Sequence, residues 1–256
     1  MRKERTVEVM PGGVGEVRAL STVDGGTALS TTKVRVLIPE GVEYITAVAT
    51  GITSKVAQMA LVPYLNVKKT ADDSATFTDY SSEAQDNSAS TDVDLSSLGV
   101  AADGDYLYVG CSRKFGGIDV DVDTTNSNAS VMTATHSTNA GWSALSITDN
   151  TANAGASMGQ DGTVTWTVPA SWIKTRVGGV SAYWVRLQFS GALDATTKQN
   201  SIWAMPRYDP GEFLDGQAFE SAVTPGNQGI VALQAEVDAG AANLVVNGYC
   251  GESEEL

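Results

Sequence analysis

The sequence predicts an all-β protein, a β-sandwich or jelly-roll-like body with extended N- and C-terminal arms. Three observations predict it. Only 18% of the residues are charged, and Ser, Thr, Asn, Gly and Ala fill the polar remainder. That balance suits short strands joined by tight turns, and not helical bundles, which draw on Glu, Lys, Leu and Arg. Apolar residues make up 42% of the 256 residues, enough to bury a sizeable core. Apolar side chains also alternate with polar ones in short runs bounded by Gly, Asn and Asp, the pattern of half-buried strands.

Along the chain, Val34–Ile38 is a β-branched run stopped by Pro39-Glu40-Gly41, and Tyr44–Val48 follows, closed by Gly51. Ser54–Leu61 has the composition of a short helix. Val62–Val67 reads as a strand whose Pro63 marks an edge or bulge. Residues 70–92 are polar and acidic with few large apolar side chains, and read as a long exposed loop. Tyr106–Gly110 is aromatic and β-branched. Ile118–Asp123 alternates strictly, so Ile118, Val120 and Val122 share one face and Asp119, Asp121 and Asp123 the other. Ser130–Thr135, Trp142–Ile147 and Gly162–Val168 continue the series. In the last, Val164, Trp166 and Val168 share a face, so Trp166 is expected in the core. Ala170–Lys174 reads as one helical turn after Pro169. Ser181–Phe189 is the strongest strand: Tyr183, Val185, Leu187 and Phe189 form its apolar face, Trp184, Arg186 and Gln188 the other. If Arg186 is buried, it needs a carboxylate partner. Ile230–Val237 and Asn243–Val246 read as a hairpin joined by Asp238–Ala241.

Three regions follow. Residues 1–98 form an N-terminal arm and β region with the long polar loop. Residues 99–208 form a β-sandwich core domain. Residues 209–256 form a C-terminal extension with the hairpin and an acidic tail from Glu252. Residues 1–30 and 209–229 have little core pattern and suit arms that order on binding a neighbour.

Charge narrows the partners. The formal net charge is −14, with a sequence pI near 4.3, so phosphate backbones repel most of this surface and nucleic acid is not expected as a partner. The basic start Met1–Arg5 reads as a solvated terminus or an arm for an acidic neighbour. No apolar segment is long enough for a membrane-spanning helix and no signal-peptide pattern opens the chain, so a protein made in the cytoplasm, away from membranes, is expected. Cys111 and Cys250 have no spacing that pairs them and read as free thiols.

Catalytic residues are scarce. His136 is the only histidine, so any Ser-His or Cys-His mechanism would have to use it; its setting before Ser137-Thr138-Asn139 reads as an ordinary turn or surface histidine. No Gly-x-Ser-x-Gly elbow, phosphate loop, dinucleotide fingerprint or zinc pattern is present. A calcium loop opening at Asp119 would want glycine at its sixth position and glutamate at its twelfth, where the chain has Thr124 and Ser130. No catalytic, cofactor-binding or metal-binding residue is assigned. A carboxylate-based hydrolase is the one enzyme class left open.

Residues 105–203 carry a resemblance. In order they read Asp105–Gly110, Arg113–Ile118, Trp142–Leu145, Thr148–Thr151, Asp161–Trp166, Pro169–Trp172 and Tyr183–Leu187. This set resembles a β-domain of tailed-bacteriophage virion proteins, found in capsid decoration and tail-associated proteins alike. The resemblance implies a non-enzymatic virion protein. A capsid decoration or cement protein is expected first, a homo-oligomer such as a trimer bound across major capsid protein subunits. A tail, baseplate or adhesion protein is the alternative. A carbohydrate-binding module is a further one, and would need Trp142, Trp172 or Trp203 exposed beside polar groups.

Overall fold

The computed structural model describes residues 16–20, 27–31, 33–39, 42–52, 56–71, 76–86, 88, 90–96, 98–99, 104–205, 211–222 and 229–250. The fold is all-β. Two compact units divide the chain: one comprises residues 1–62 and 208–256, the other residues 63–207. The second is therefore inserted in the sequence of the first.

The first unit holds β1 (Glu16–Ala19), β2 (Thr27–Leu29), β3 (Val34–Leu37), β4 (Val42–Thr50) and β5 (Ala57–Pro63). After the insertion come β18 (Gly211–Phe213), β19 (Ala218–Ala222), β20 (Ile230–Val237) and β21 (Ala242–Cys250). One sheet runs β1-β21-β4-β19, with β2 also on β21; the other runs β18-β5-β20-β3. Alternate residues of both sheets, including Ile45, Ala47, Met59, Leu233, Leu244 and Val246, close one core.

Three expectations change here. Of the Ser54–Leu61 segment, residues 54–55 lie outside the described residues and the rest is not a helix: β5 covers Ala57–Pro63, because Ala57, Met59 and Val62 are buried and packing outweighs intrinsic helix propensity. The pair 230–237 and 243–246 is not a hairpin. Asp238–Ala241 carries the chain from one sheet to the other, with Val237 N–H donating to Ser30 O (3.0 Å) and Val56 N–H to Asp238 Oδ1 (3.2 Å). Within the supposed arms, the described segments are strands: β1 and β2 pair with β21, β18 with β5, and β19 with β4. Residues 1–15 and the acidic tail 252–256 lie outside the described residues.

The second unit contains β6 (Leu65–Ala71), β7 (Thr78–Asp79), β8 (Val93–Asp94), β9 (Asp105–Cys111), β10 (Gly117–Thr124), β11 (Met132–Thr138) and β12 (Gly141–Leu145). It continues with β13 (Ile147–Asp149), β14 (Gly162–Trp166), β15 (Lys174–Val177), β16 (Val180–Phe189) and β17 (Lys198–Ala204). One sheet runs β12-β11-β16-β9-β6-β7, with β15 on β16; the facing sheet runs β13-β14-β10-β17-β8. Between them lies the larger core, which includes Leu107, Val109, Phe115, Ile118, Val164 and Trp166 from the segments that carry the resemblance. Trp166 sits there with Val164, as its alternation requires, and Val185, Leu187 and Phe189 face the same core.

β6 to β8 belong to this unit, so the division falls at residues 62–63 and not at 98. Within the expected loop 70–92, the described residues are not all solvated. They contribute the end of β6, β7 and a 3-10 turn at Glu83–Gln85, and Ser81, Ala84 and Gln85 are buried; β8 follows directly. Polar side chains take the place of a strand here. Gln85 Oε1 accepts from Leu65 N–H (2.8 Å), its Nε2 donates to Leu65 O (2.6 Å), and Ser81 Oγ accepts from Val67 N–H (3.0 Å). A low apolar content therefore did not mean exposure.

Candidate functional site

His136 is not a surface residue. It lies within β11 and is 5% exposed. The loop from β14 to β15 is stitched to this strand: Ile173 N–H donates to Ser137 O (3.2 Å), and Ser137 Oγ donates to Ile173 O (2.7 Å). Trp172 fixes the loop from the core side. It packs near Phe115, Tyr183 and Trp166, and its Nε1 donates to Trp184 O (3.1 Å). A short turn rather than a helix results at Ala170–Ser171, and exposed Ser171 is held with its Oγ 3.1 Å from His136 Nε2.

Ser171, but not His136, lines a shallow groove of about 480 Å³, together with Thr138, Asn139, Ala140, Ser143, Ala170 and Ile173. Lys114 flanks it, with Nζ donating to Pro169 O (3.2 Å) and Ala170 O (3.3 Å). Burial holds the imidazole below its ordinary pKa, and the Lys114 charge adds to that. The ring is thus neutral at pH 7. The Ser143 backbone across the β11–β12 pair opposes the shift in part, and Nδ1 itself has no hydrogen-bond partner among the described residues. A triad would place a carboxylate on Nδ1 to orient the ring; among the described residues none is bonded there. The chemistry of the groove is hydrogen bonding by hydroxyl and amide groups beside one ammonium, with the imidazole behind Ser171.

The second feature is on the outer face of the same sheet. Trp184 is fully buried, covered by the chain's own β15–β16 hairpin, to which its Nε1 donates at Thr175 O (3.1 Å). Arg186 is half-buried, so the condition under which it would need a carboxylate is not met, and no ion pair to it is present among the described residues. Its guanidinium lies between two rings, 4.2 Å from the Tyr106 centroid and 4.9 Å from that of Trp142, while Nε donates to Thr135 Oγ1 (3.2 Å). Half-burial leaves the cation partly hydrated, and the ring faces supply the remaining stabilisation. Tyr108 joins the cluster edge-on to Phe77, Trp142 and Trp184.

The other residues singled out in the sequence are dispersed. Asp119, Asp121 and Asp123 project from the face of β10 opposite Ile118 and Val120. Among the described residues, no group of three or more His, Cys, Asp or Glu side chains is placed to hold a metal ion. Cys111 is a free, fully buried thiol, and burial pushes its pKa far up, so it is inert as a nucleophile. Cys250 falls in the other unit, in β21. Trp172 and Trp203 are buried, and half-buried Trp142 has the Arg186 guanidinium over its ring, so none of the three is shown as an open stacking platform. No helix among the described residues is long and apolar enough to cross a membrane. Ser171 was missed in the sequence, because 35 residues and no motif separate it from His136.

No protein-family model matches the chain, and no curated protein matches it.

Proposed function

We propose that this chain is a non-enzymatic structural protein of a tailed-phage virion, and that it acts as a capsid decoration or cement protein bound across major capsid protein subunits. One observation carries the reading. The stretch that resembles virion β-domains, residues 105–203, falls wholly inside one compact unit, residues 63–207. Its motif aromatics Phe115, Trp166, Trp172 and Tyr183 pack together there. The resemblance therefore follows a fold unit and not a scatter of turns. The charge of −14 supports an outward-facing position, since a surface against packaged DNA favours cations.

Copy number in purified virions tests it, measured by mass spectrometry against the major capsid protein. The expected ratio is near one per capsid subunit or a simple fraction of it. A few copies per particle moves the protein to the tail or baseplate, and absence from virions overturns the reading.

A further inference from the structure

Polar side chains buried in a folded protein are nearly always hydrogen-bonded, and each exception calls for an explanation. The second unit obeys this at several sites. Gln85 is buried with both ends of its amide bonded. Thr151 is fully buried, and its hydroxyl donates to Asp149 Oδ1 (2.6 Å) and accepts from Met158 N–H (3.0 Å). Buried Asn126 donates to the carbonyls of Asn128 and Ser157 and accepts from the N–H groups of Asn128 and Asp194. Thr197 and Gln199 depart from the rule together. Both are fully buried, yet Thr197 Oγ1, Gln199 Oε1 and Gln199 Nε2 have no hydrogen-bond partner among the described residues.

The strand pairing fixes where these side chains point. Gln199, in β17, lies opposite Val93 of β8 on one side and Val122 of β10 on the other. Thr197 precedes β17, and its carbonyl accepts from Leu95 N–H (3.0 Å). Residues opposite one another on paired strands share a face of the sheet. Val93 and Leu95 belong to the larger core, and Val122 packs against it. Thr197 and Gln199 therefore both point into the sandwich, about 7 Å apart along the chain. The 3-10 turn at Glu83–Gln85 packs on β17.

The donors and acceptors decide what fits there. Gln199 offers two N–H donors and one acceptor oxygen, and Thr197 a hydroxyl that does both. A bond between the two side chains would satisfy one end of the amide and leave the other unpaired. A cation would suit Oε1 and Oγ1 and leave Nε2 unpaired, whereas an anion would suit Nε2 and leave Oε1 unpaired. Apolar surroundings alone would leave all three atoms unpaired. Water both donates and accepts, and through two bonds of ordinary length it bridges groups roughly 5.5 Å apart.

We infer that Thr197 and Gln199 hold a buried, ordered water between the two sheets of the second unit, bonded to the threonine hydroxyl and the glutamine amide. The site accounts for two polar side chains at core-facing positions, where a sandwich calls for apolar ones. It is a site of the fold itself and is independent of the virion reading.

Two measurements on the full chain test it. The first is a crystal structure at a resolution that shows ordered water. Density for a water within about 3.2 Å of both Thr197 Oγ1 and the Gln199 amide is expected. No water there, or an amide whose two ends both meet protein groups, overturns the inference. The second is urea unfolding of the near-isosteric variants Thr197→Val and Gln199→Met and of the double variant. Each single variant removes one partner of the water, so its unfolding constant is expected to rise roughly two- to tenfold. The double variant is expected to lose less than the product of the two, because both side chains act through one water. The opposite sign is as informative. If the three atoms were unpaired, apolar replacement would relieve a cost. Single variants more stable than wild type, or losses that multiply in the double variant, therefore overturn the inference.

Discussion

At the residue scale, single atoms decide whether the outer face of the larger sheet closes. Gly110 lies opposite Trp184 across the β9–β16 pair, and a Cβ there would stand only 2.4 Å from an indole carbon. Glycine in a strand interior costs conformational entropy, and here it makes room for a fully buried Trp. Gly110→Ala is therefore expected to destabilise the protein by about 1–3 kcal/mol, the usual range for overpacking, read as a lowered urea midpoint. His136 gives a pH test with a fixed sign. Its folded pKa lies below the unfolded value of about 6.5, so between the two the unfolded chain holds more protons. Stability then falls as pH drops below about 6.5 and levels off under the folded pKa. The urea midpoint of wild type should trace that decline, and His136→Gln should remove it while leaving the steeper carboxylate-driven loss below pH 4.

At the element scale, the edge of β6 shows how polar residues build a sheet. Leu65 has no strand on the side where Gln85 stands, so one amide side chain supplies both an acceptor and a donor to its backbone. Gln85→Ala leaves a buried N–H and C=O unpaired, at a cost on the order of 2–4 kcal/mol. Gln85→Glu is more informative. A carboxylate accepts from Leu65 N–H but cannot donate to Leu65 O, whereas the protonated acid can. That variant should gain stability relative to wild type as pH falls from 7 towards 4.5, by urea titration at each pH. The same edge shows what the sequence could and could not disclose. Ile118–Asp123, Gly162–Val168 and Ser181–Phe189 were legible because each has a dry side and a wetter side, and period two records that directly. Ser81–Gln85 was illegible because its burial rests on hydrogen bonds to residues 14 and 20 positions away. The candidate groove failed for the same reason. His136 was visible as the only imidazole, but its burial and its Ser171 partner come from a loop clamped to β11 by long-range bonds.

At the scale of the whole molecule, the insertion geometry makes a claim about folding. β5, the last strand before the inserted unit, and β18, the first after it, are antiparallel neighbours, with Met59 opposite Gly211 and Ala57 opposite Phe213. The chain thus leaves the first unit and returns to it at the same end of one strand pair, as it would around a hairpin loop. Closing a long unstructured loop costs entropy that grows with the logarithm of its length, but an insert that folds by itself holds its own ends. Each unit also encloses a separate core. Residues 63–207 expressed alone should therefore melt cooperatively with a strand-type circular dichroism spectrum. The complementary chain, with 62 joined to 208 through a short Gly-Asn turn, should fold as well. Calorimetry of the full protein should then show two transitions at the positions of the two pieces. A single transition, with either piece unfolded alone, would mean that the insert stabilises its host, and the log-length argument for tolerance of the insertion would fail with it. Two independent transitions would place the groove on a unit whose stability owes nothing to residues 1–62 and 208–256.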